Sequence, residues 1–367
     1  MSQSRHILVV GAGAVGAFYG ARLHDEQRGV LVSAVCRSNY AAVSSAGFRI
    51  ESLQFGTSTW RPHGVFRSCA DAAASGIRFD AIVVATKALP DVRDDSVDLD
   101  PLFQQPHHGH AGRVPTIVLI QNGFGVEWPY RARFPAAPIL SAITVVSCQQ
   151  TQPGVIVHNK WTRISIGPFF TSDEKPAVWA ARPENAAAVA DANARSAQFV
   201  ADLAAGGIRD SENFDATEIQ LVRWHKLAIN ATFNPTSILS GGLSNPEQLL
   251  DDQLEEQARG CILEILNAGP VVLGAPFPPH LATADALLAS TKRNRLGAKP
   301  SMLVDWEAGR PLEIEVILAN PLKLARQCGV EMPRIQTIYA LIRSASRRQQ
   351  QKLKEEHARQ GAAGSKL

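Results

Sequence analysis

Along this chain the spacing of apolar residues changes once, just past its middle. In the N-terminal half they form short unbroken runs at residues 7–10, 30–36, 79–85 and 115–120. Runs of that length, bounded by turn residues, predict strands covered on both faces, as in a parallel sheet. Further β-rich pieces stand at 139–148, 154–158 and 162–167. From about Asp210 the apolar residues recur at helical spacing, predicting helices over 218–234, 248–266 and 282–291. Asn234-Pro235 is expected to end or kink the first of these, because proline disfavours α geometry in the residue before it. Two stretches, 91–113 and 171–189, are rich in proline and charge and read as inserted loops. The pattern predicts an α/β protein. Its parts are a doubly wound parallel sheet over 1–208, an all-helical domain over 209–346 and an exposed tail over 347–367.

The first run leads directly into Gly11-Ala12-Gly13-Ala14-Val15-Gly16, and a helical pattern follows through Ala17, Phe18, Ala21 and Leu23. A G-x-G-x-x-G turn between strand and helix is the fingerprint of a Rossmann-type dinucleotide site. Gly11 permits the tight turn, Gly13 lets the backbone approach a pyrophosphate, and Gly16 lets the helix lie close to the strand. The helix N-terminus then turns free N–H groups toward the phosphates. A glycine-rich turn without a ligand is the plainer alternative. A site that prefers NAD ends its second strand with Asp or Glu for the ribose 2′-hydroxyl. Here the strand ends in Cys36-Arg37-Ser38, where Arg37 can meet a 2′-phosphate and Ser38 can hydrogen-bond it, so NADP(H) is the expected cofactor. An ordinary surface role for Arg37 is the competing view. Ligands of open parallel sheets lie beyond the carboxyl ends of the strands, where Lys87 and Asn122 follow the third and fourth runs. Each also suits a plain strand-terminal turn.

On the helix predicted over 218–234, Lys226, Asn230 and Asn234 are spaced four apart. Each step advances about 400°, so the three share one face and span roughly 12 Å. An ammonium followed by two amides makes a poor core stripe but a good wall for an anionic carbonyl compound; a solvated helix face is the alternative. Farther on, Ser301 and Asp305 fall on one side of a short helix that Gly309 can cap. Pro311 suits the first turn of the next helix, which carries Glu313. On spacing alone Glu313 serves either catalysis or an ion pair with Arg310.

Bulk properties exclude more than they assign. The 367 residues, 45% of them apolar, allow two domains, and a net charge of +3 without a basic run interleaved with aromatics does not point to nucleic acid. No stretch approaches the 18 apolar residues of a membrane span, and with the polar Met1 to Arg5 leading directly into a strand no signal peptide is expected. The five cysteines are scattered and include no CxxC pair, which suggests reduced thiols. The cluster His107-His108-Gly109-His110 lacks a carboxylate or cysteine at ligand spacing, so no metal is expected. The chain closes on Ser365-Lys366-Leu367, the address read by the peroxisomal import receptor. Peroxisomal delivery is the expected localisation, with the cytoplasm as the alternative.

These pieces in order resemble the ketopantoate reductase family. The matching elements are the glycine turn, Arg37, Lys87, Gln121-Asn122-Gly123, Trp224-x-Lys226-Leu227-x-x-Asn230-x-x-x-Asn234-Pro235, and Ser301-Met302-x-x-Asp305 followed by Gly309-Arg310-x-x-Glu313-Ile314. The resemblance implies NADPH-dependent reduction of 2-dehydropantoate to (R)-pantoate. It implies a Rossmann domain, an all-helical domain and a cleft between them. It makes Lys226 the general acid and Glu313 its hydrogen-bonding partner or that of the new hydroxyl. Asn230, Asn234 and Ser301 would orient the substrate, and Asn122 would stand at the nicotinamide end. Two positions depart from the family pattern: Ala298 where asparagine is frequent and Pro300 where serine is common. They leave room for another branched 2-oxo acid as substrate. A non-catalytic NADP(H) sensor would require neither Lys226 nor Glu313.

Overall fold

Strands of the N-terminal half alternate their side chains between two cores. In chain order they are β1 (Arg5–Val10), β2 (Val30–Val35), β3 (Phe48–Ser52), β4 (Gly56–Trp60) and β5 (Val65–Phe66). Then come β6 (Ala81–Val84), β7 (Thr116–Leu119), β8 (Ile139–Gln152), β9 (Val155–Phe169) and β10 (Ser211–Asn213). Ile7, Val9, Val83 and Val118 face one apolar cluster, whereas Leu8, Val10, Ile82 and Ile117 face the other. Both faces are covered, which is why the runs read as unbroken rather than alternating. This computed structural model describes residues 4–104, 114–171, 173–294 and 299–364. His107, His108 and His110, Ala298, and Ser365-Lys366-Leu367 lie outside the described residues.

The sheet order is β4-β3-β9-β8-β7-β6-β1-β2-β5, with β10 pairing β9. From β5 to β8 all pairs are parallel. The pairs β8–β9 and β3–β4 are antiparallel, so the sheet is mixed rather than parallel throughout. The pieces expected at 154–158 and 162–167 are a single 15-residue strand, β9, folded back on β8 through Gly154 at φ +80°. β1 lies between β2 and β6, so the chain's progression across the sheet reverses there. That reversal is the switch point at which open α/β sheets bind their ligands.

The chain divides into two units: residues 1–88, 94–121 and 125–220, and residues 89–93, 122–124 and 221–367. The division falls at 220/221 rather than 208/209, because β10 joins the sheet and the helix Ala216–Leu239 begins with the first unit. That helix does not stop at Asn234; it continues through Pro235 to Leu239. A proline inside a helix costs about 3 kcal/mol. The fully buried Phe233, Ala231 and Ser237 hold the turn around it, and burying one large apolar side chain returns about 1.5–3 kcal/mol.

The rest of the second unit is helical among the described residues, with Asn245–Gln248, Asp252–Leu273, Ala284–Arg293, Ser301–Glu307, Asn320–Gln327 and Pro333–Gly364. Residues 171–189 hold a short helix, Pro176–Ala180, and the start of the 20-residue helix Ala186–Ala205, so they are not simply a loop. Residues 347–364, expected as a tail, extend the last helix. Gln349 Nε2 donates to the Trp306 carbonyl at 2.9 Å and Gln350 Nε2 to that of Gly309 at 3.1 Å, which docks its early part. In the interior of this unit Trp224 is fully buried and its indole N–H donates to the Ile265 carbonyl at 2.8 Å. Gly269 passes so close to Trp224 that a Cβ there would lie 2.8 Å from the ring.

Candidate active site

In the first unit, β1 ends at the glycine turn and the helix Ala14–Leu23 starts on it. Gly11 sits at φ +87°, and a Cβ there would meet Thr86 at 2.8 Å. At Gly16 a Cβ would stand 2.6 Å from the Gly11 carbonyl oxygen, so helix and turn touch backbone to backbone. Gly13 differs, since nothing lies within 4 Å of the place a side chain would take. The helix it opens has no side-chain cap and no acidic residue in its first turn. An uncapped helix start with open space before it suits the pyrophosphate of a dinucleotide. Ala12, Ala14 and Val15 complete the turn, with the Ala12 N–H on the Val35 carbonyl at 3.3 Å.

Around the turn, Arg37 follows β2 as expected and is exposed, its guanidinium 3.6 Å from Asp98. Ion pairs this exposed are weak, so the guanidinium is free to exchange partners. Burial beside it pushes the Cys36 thiol up to about 12. Lys87 follows β6 and is exposed. Other groups were given no role of their own in the sequence. Asn39 is buried and donates from Nδ2 to the Ala12 carbonyl at 2.9 Å and to Gln150 Oε1 at 3.0 Å, bracing the turn from behind. Arg67, just after β5, lies 4.0 Å over the Tyr40 ring, and β5 pairs with the strand that Arg37 follows. Gln121 Nε2 donates to Thr86 Oγ1 at 3.2 Å, and Thr86 Oγ1 to Asp95 at 3.0 Å. A polar residue just past a strand was the available signal for each, but it is also an ordinary turn signal.

The second unit contains the expected general acid, Lys226. Lys226 Nζ donates to Asn122 Oδ1 at 2.8 Å, although the two are 104 residues apart. Lys226 and Asn230 are half-buried, and Asn234 is buried farther along the same helical face. The segment 122–124 is fixed at several points. Arg223, itself buried, donates to the Gly123 carbonyl at 3.0 Å. The Phe124 N–H donates to the Val316 carbonyl at 2.7 Å, and its carbonyl accepts from Asn320 Nδ2 at 2.8 Å. The Phe124 ring stands edge-on to Trp224 at 5.1 Å. Gly123 is at φ +92°, and a Cβ there would come within 2.5 Å of the Val316 side chain, so only glycine fits.

Of the remaining candidates, Ser301 is the exposed first residue of the helix Ser301–Glu307, and Gly309 at φ +64° ends that helix with its N–H on the Trp306 carbonyl at 3.0 Å. Asp305 is buried and takes Arg310 Nε at 2.9 Å, so Arg310 is already engaged by the aspartate. Glu313 is buried, but Pro311 to Glu313 is not helical; a π turn over Glu315–Ala319 follows instead. The Glu313 carbonyl accepts from the Ile317 N–H at 3.2 Å, placing Glu313 at the start of the helical stretch. His225 does not face with Lys226, since its Nε2 hydrogen-bonds the Ala282 carbonyl at 2.8 Å. The arrangement therefore offers one positioned ammonium, neutral amides along its face and a buried carboxylate in the same unit.

The chain matches the family described as Ketopantoate reductase PanE/ApbA over residues 7–170, and its C-terminal part, Ketopantoate reductase PanE/ApbA C terminal, over residues 218–346. The chain belongs to the ketopantoate reductase family, whose members are oxidoreductases that bind NAD(P)H. It is 30% identical over 351 residues to an uncharacterized protein of Saccharomyces cerevisiae, covering 92% of each chain. The solved 2-dehydropantoate 2-reductase from Methylococcus capsulatus superposes with a TM-score of 0.73 at 31% identity, over 94% of this chain and 97% of that one. D-mandelate dehydrogenase, solved as a ternary structure with NADH and anilino(oxo)acetate, shares the fold at a TM-score of 0.70 and 17% identity, over 94% of this chain and 99% of that one.

Proposed function

We propose that the protein reduces 2-dehydropantoate to (R)-pantoate with NADPH. The observation that carries this reading is the Lys226 ammonium held 2.8 Å from Asn122 on the helix face that also bears Asn230 and Asn234. When a ketone is reduced, negative charge builds on its oxygen, and an ammonium fixed beside that oxygen stabilises the charge and delivers the proton. Lys226 takes that part. Asn230 and Asn234 orient the substrate's polar groups, Ser301 bonds its carboxylate, and Glu313 hydrogen-bonds the lysine or the new hydroxyl.

The residues present suit the cofactor. Gly13 leaves the approach open, the helix Ala14–Leu23 offers an uncapped N-terminus, and Arg37 supplies charge for a 2′-phosphate. The nicotinamide, when bound, supplies the hydride. Asn122, following β7, would stand at the nicotinamide end.

A second reading keeps these roles and changes the substrate to another branched 2-oxo acid, because Ala298 and Pro300 depart from the family pattern near Ser301. One assay separates the readings: NADPH oxidation followed by absorbance with 2-dehydropantoate, 2-oxoisovalerate and pyruvate, beside an NADH control. Turnover confined to 2-dehydropantoate and NADPH is the expected result. Activity on a different acid would move the substrate. NADPH binding with no turnover of any of them would sink the reductase reading in favour of a sensor.

A further inference from the structure

The helical stretch after Glu313 contains a π turn, whose hydrogen bonds reach one residue farther back than those of an α-helix. In an α-helix the Asn320 N–H would donate to the Val316 carbonyl, four residues back. Here it donates to Glu315, five back. The next N–H that could serve Val316 in a π register belongs to residue 321, which is proline and has none. The Val316 carbonyl is thus released from the helix on both counts, and it accepts the Phe124 N–H at 2.7 Å. The sequence supplies the reason for the wide turn: in a regular helix the Pro321 ring would press on the carbonyl of Ile317. Single π turns of this kind are frequent at functional sites.

Asn320 closes the other side of the contact. Its Nδ2 donates to the Phe124 carbonyl at 2.8 Å, so Phe124 is held by both backbone groups, as a strand residue would be. Two residues earlier the same segment presents Asn122 Oδ1 to Lys226 Nζ. We propose that the π turn with Asn320 is a clamp that positions the Asn122 amide against Lys226, which makes Asn320 a positioning residue for the proton donor. This inference rests on the reductase reading for its kinetic consequence. The clamp itself is a statement about the segment 122–124.

The test uses the full-length chain carrying Asn320→Ala, or Asn320→Asp, which keeps the side-chain volume should the alanine variant fail to fold. Displacing a catalytic contact by about 1 Å can cost on the order of 100-fold, so a fall in kcat of about ten-fold or more is expected, with the KM for NADPH little changed. Asn122→Ala should lower kcat by a similar factor, and adding Asn320→Ala to it should cost nothing further. Amide exchange of a peptide spanning 120–126 should quicken in the Asn320 variants without the cofactor. Unchanged exchange would overturn the clamp, and so would a double variant whose loss is the product of the two single losses. If the wild type turns over no 2-oxo acid, the reductase reading fails by itself, and the exchange result still decides the clamp.

Discussion

In the proposed reading the glycine turn of the first unit presents backbone to the cofactor, whereas the lysine face of the second presents side chains to the substrate, and the two should tolerate substitution differently. At the turn, function depends on what is missing: a Cβ at Gly16 would collide with the Gly11 carbonyl, and one at Gly13 would fill the approach. On the lysine face, the proposed chemistry depends on what is present and on what holds it: Asn122 accepts from Lys226, and Gly123, Val316 and Asn320 hold the segment that carries it. A site made of backbone is encoded by local spacing. A site made of side chains is encoded by contacts between distant parts of the chain.

The largest effect should follow Lys226→Ala. We expect kcat/KM to fall by about 10²–10⁴-fold, the range for a general acid, with NADPH affinity by fluorescence titration unchanged. A comparable loss of cofactor binding would erase the contrast between the two regions. Gly13→Val should do the reverse, lowering NADPH affinity on the order of 100-fold, about 2.7 kcal/mol, while the melting temperature stays put because the new side chain enters open space. A large drop in melting temperature would show Gly13 to be structural like Gly16.

Gly123→Ala should cost about 2–3 kcal/mol in a denaturant titration, combining a left-handed backbone with overlap on Val316. Stability within 0.5 kcal/mol of wild type would mean that the segment is not held as tightly as its contacts suggest. Arg37→Ala should raise the KM for NADPH by about ten-fold and leave that for NADH alone, as one charge-assisted hydrogen bond requires. Equal effects on both cofactors would remove the case for a 2′-phosphate contact.

The smallest effect concerns thiols. Burial raises the Cys36 and Cys261 thiols to about 12, so at pH 8 both remain protonated and should resist iodoacetamide while exposed Cys328 reacts. Mass spectrometry after labelling reads this directly, and modification of Cys36 in the native protein would show that the ground behind β2 opens easily.

What could be read in the sequence follows the same division. The turn at residues 11–16, the strands β1, β2, β6 and β7 and the ladder Lys226, Asn230, Asn234 each depend on spacing within a few residues, and spacing is visible in a string. The return of β9 along β8, the helix that survives Pro235 and the buried Arg223 depend on partners far away. Glu313 is a mixed case. Pro311 is expected in the first turn of the helix carrying Glu313, but helical geometry begins only after Glu313 and opens in a π register before Pro321, and the string does not show which carbonyl that releases.

The fixed backbone at Gly123 also bears on how the protein ages. Asparagine followed by glycine cyclises readily to a succinimide in a flexible chain, because no Cβ hinders the glycine nitrogen from attacking the side-chain carbonyl. Just after Asn122-Gly123 the chain is pinned at the Gly123 carbonyl by Arg223 and at both backbone groups of Phe124 by Val316 and Asn320, and the asparagine side chain is engaged by Lys226. Deamidation there must wait for the segment to open locally. Its product carries a carboxylate where a neutral amide met the ammonium. The shelf life of this site is therefore set by the opening of three residues rather than by the unfolding of the whole chain.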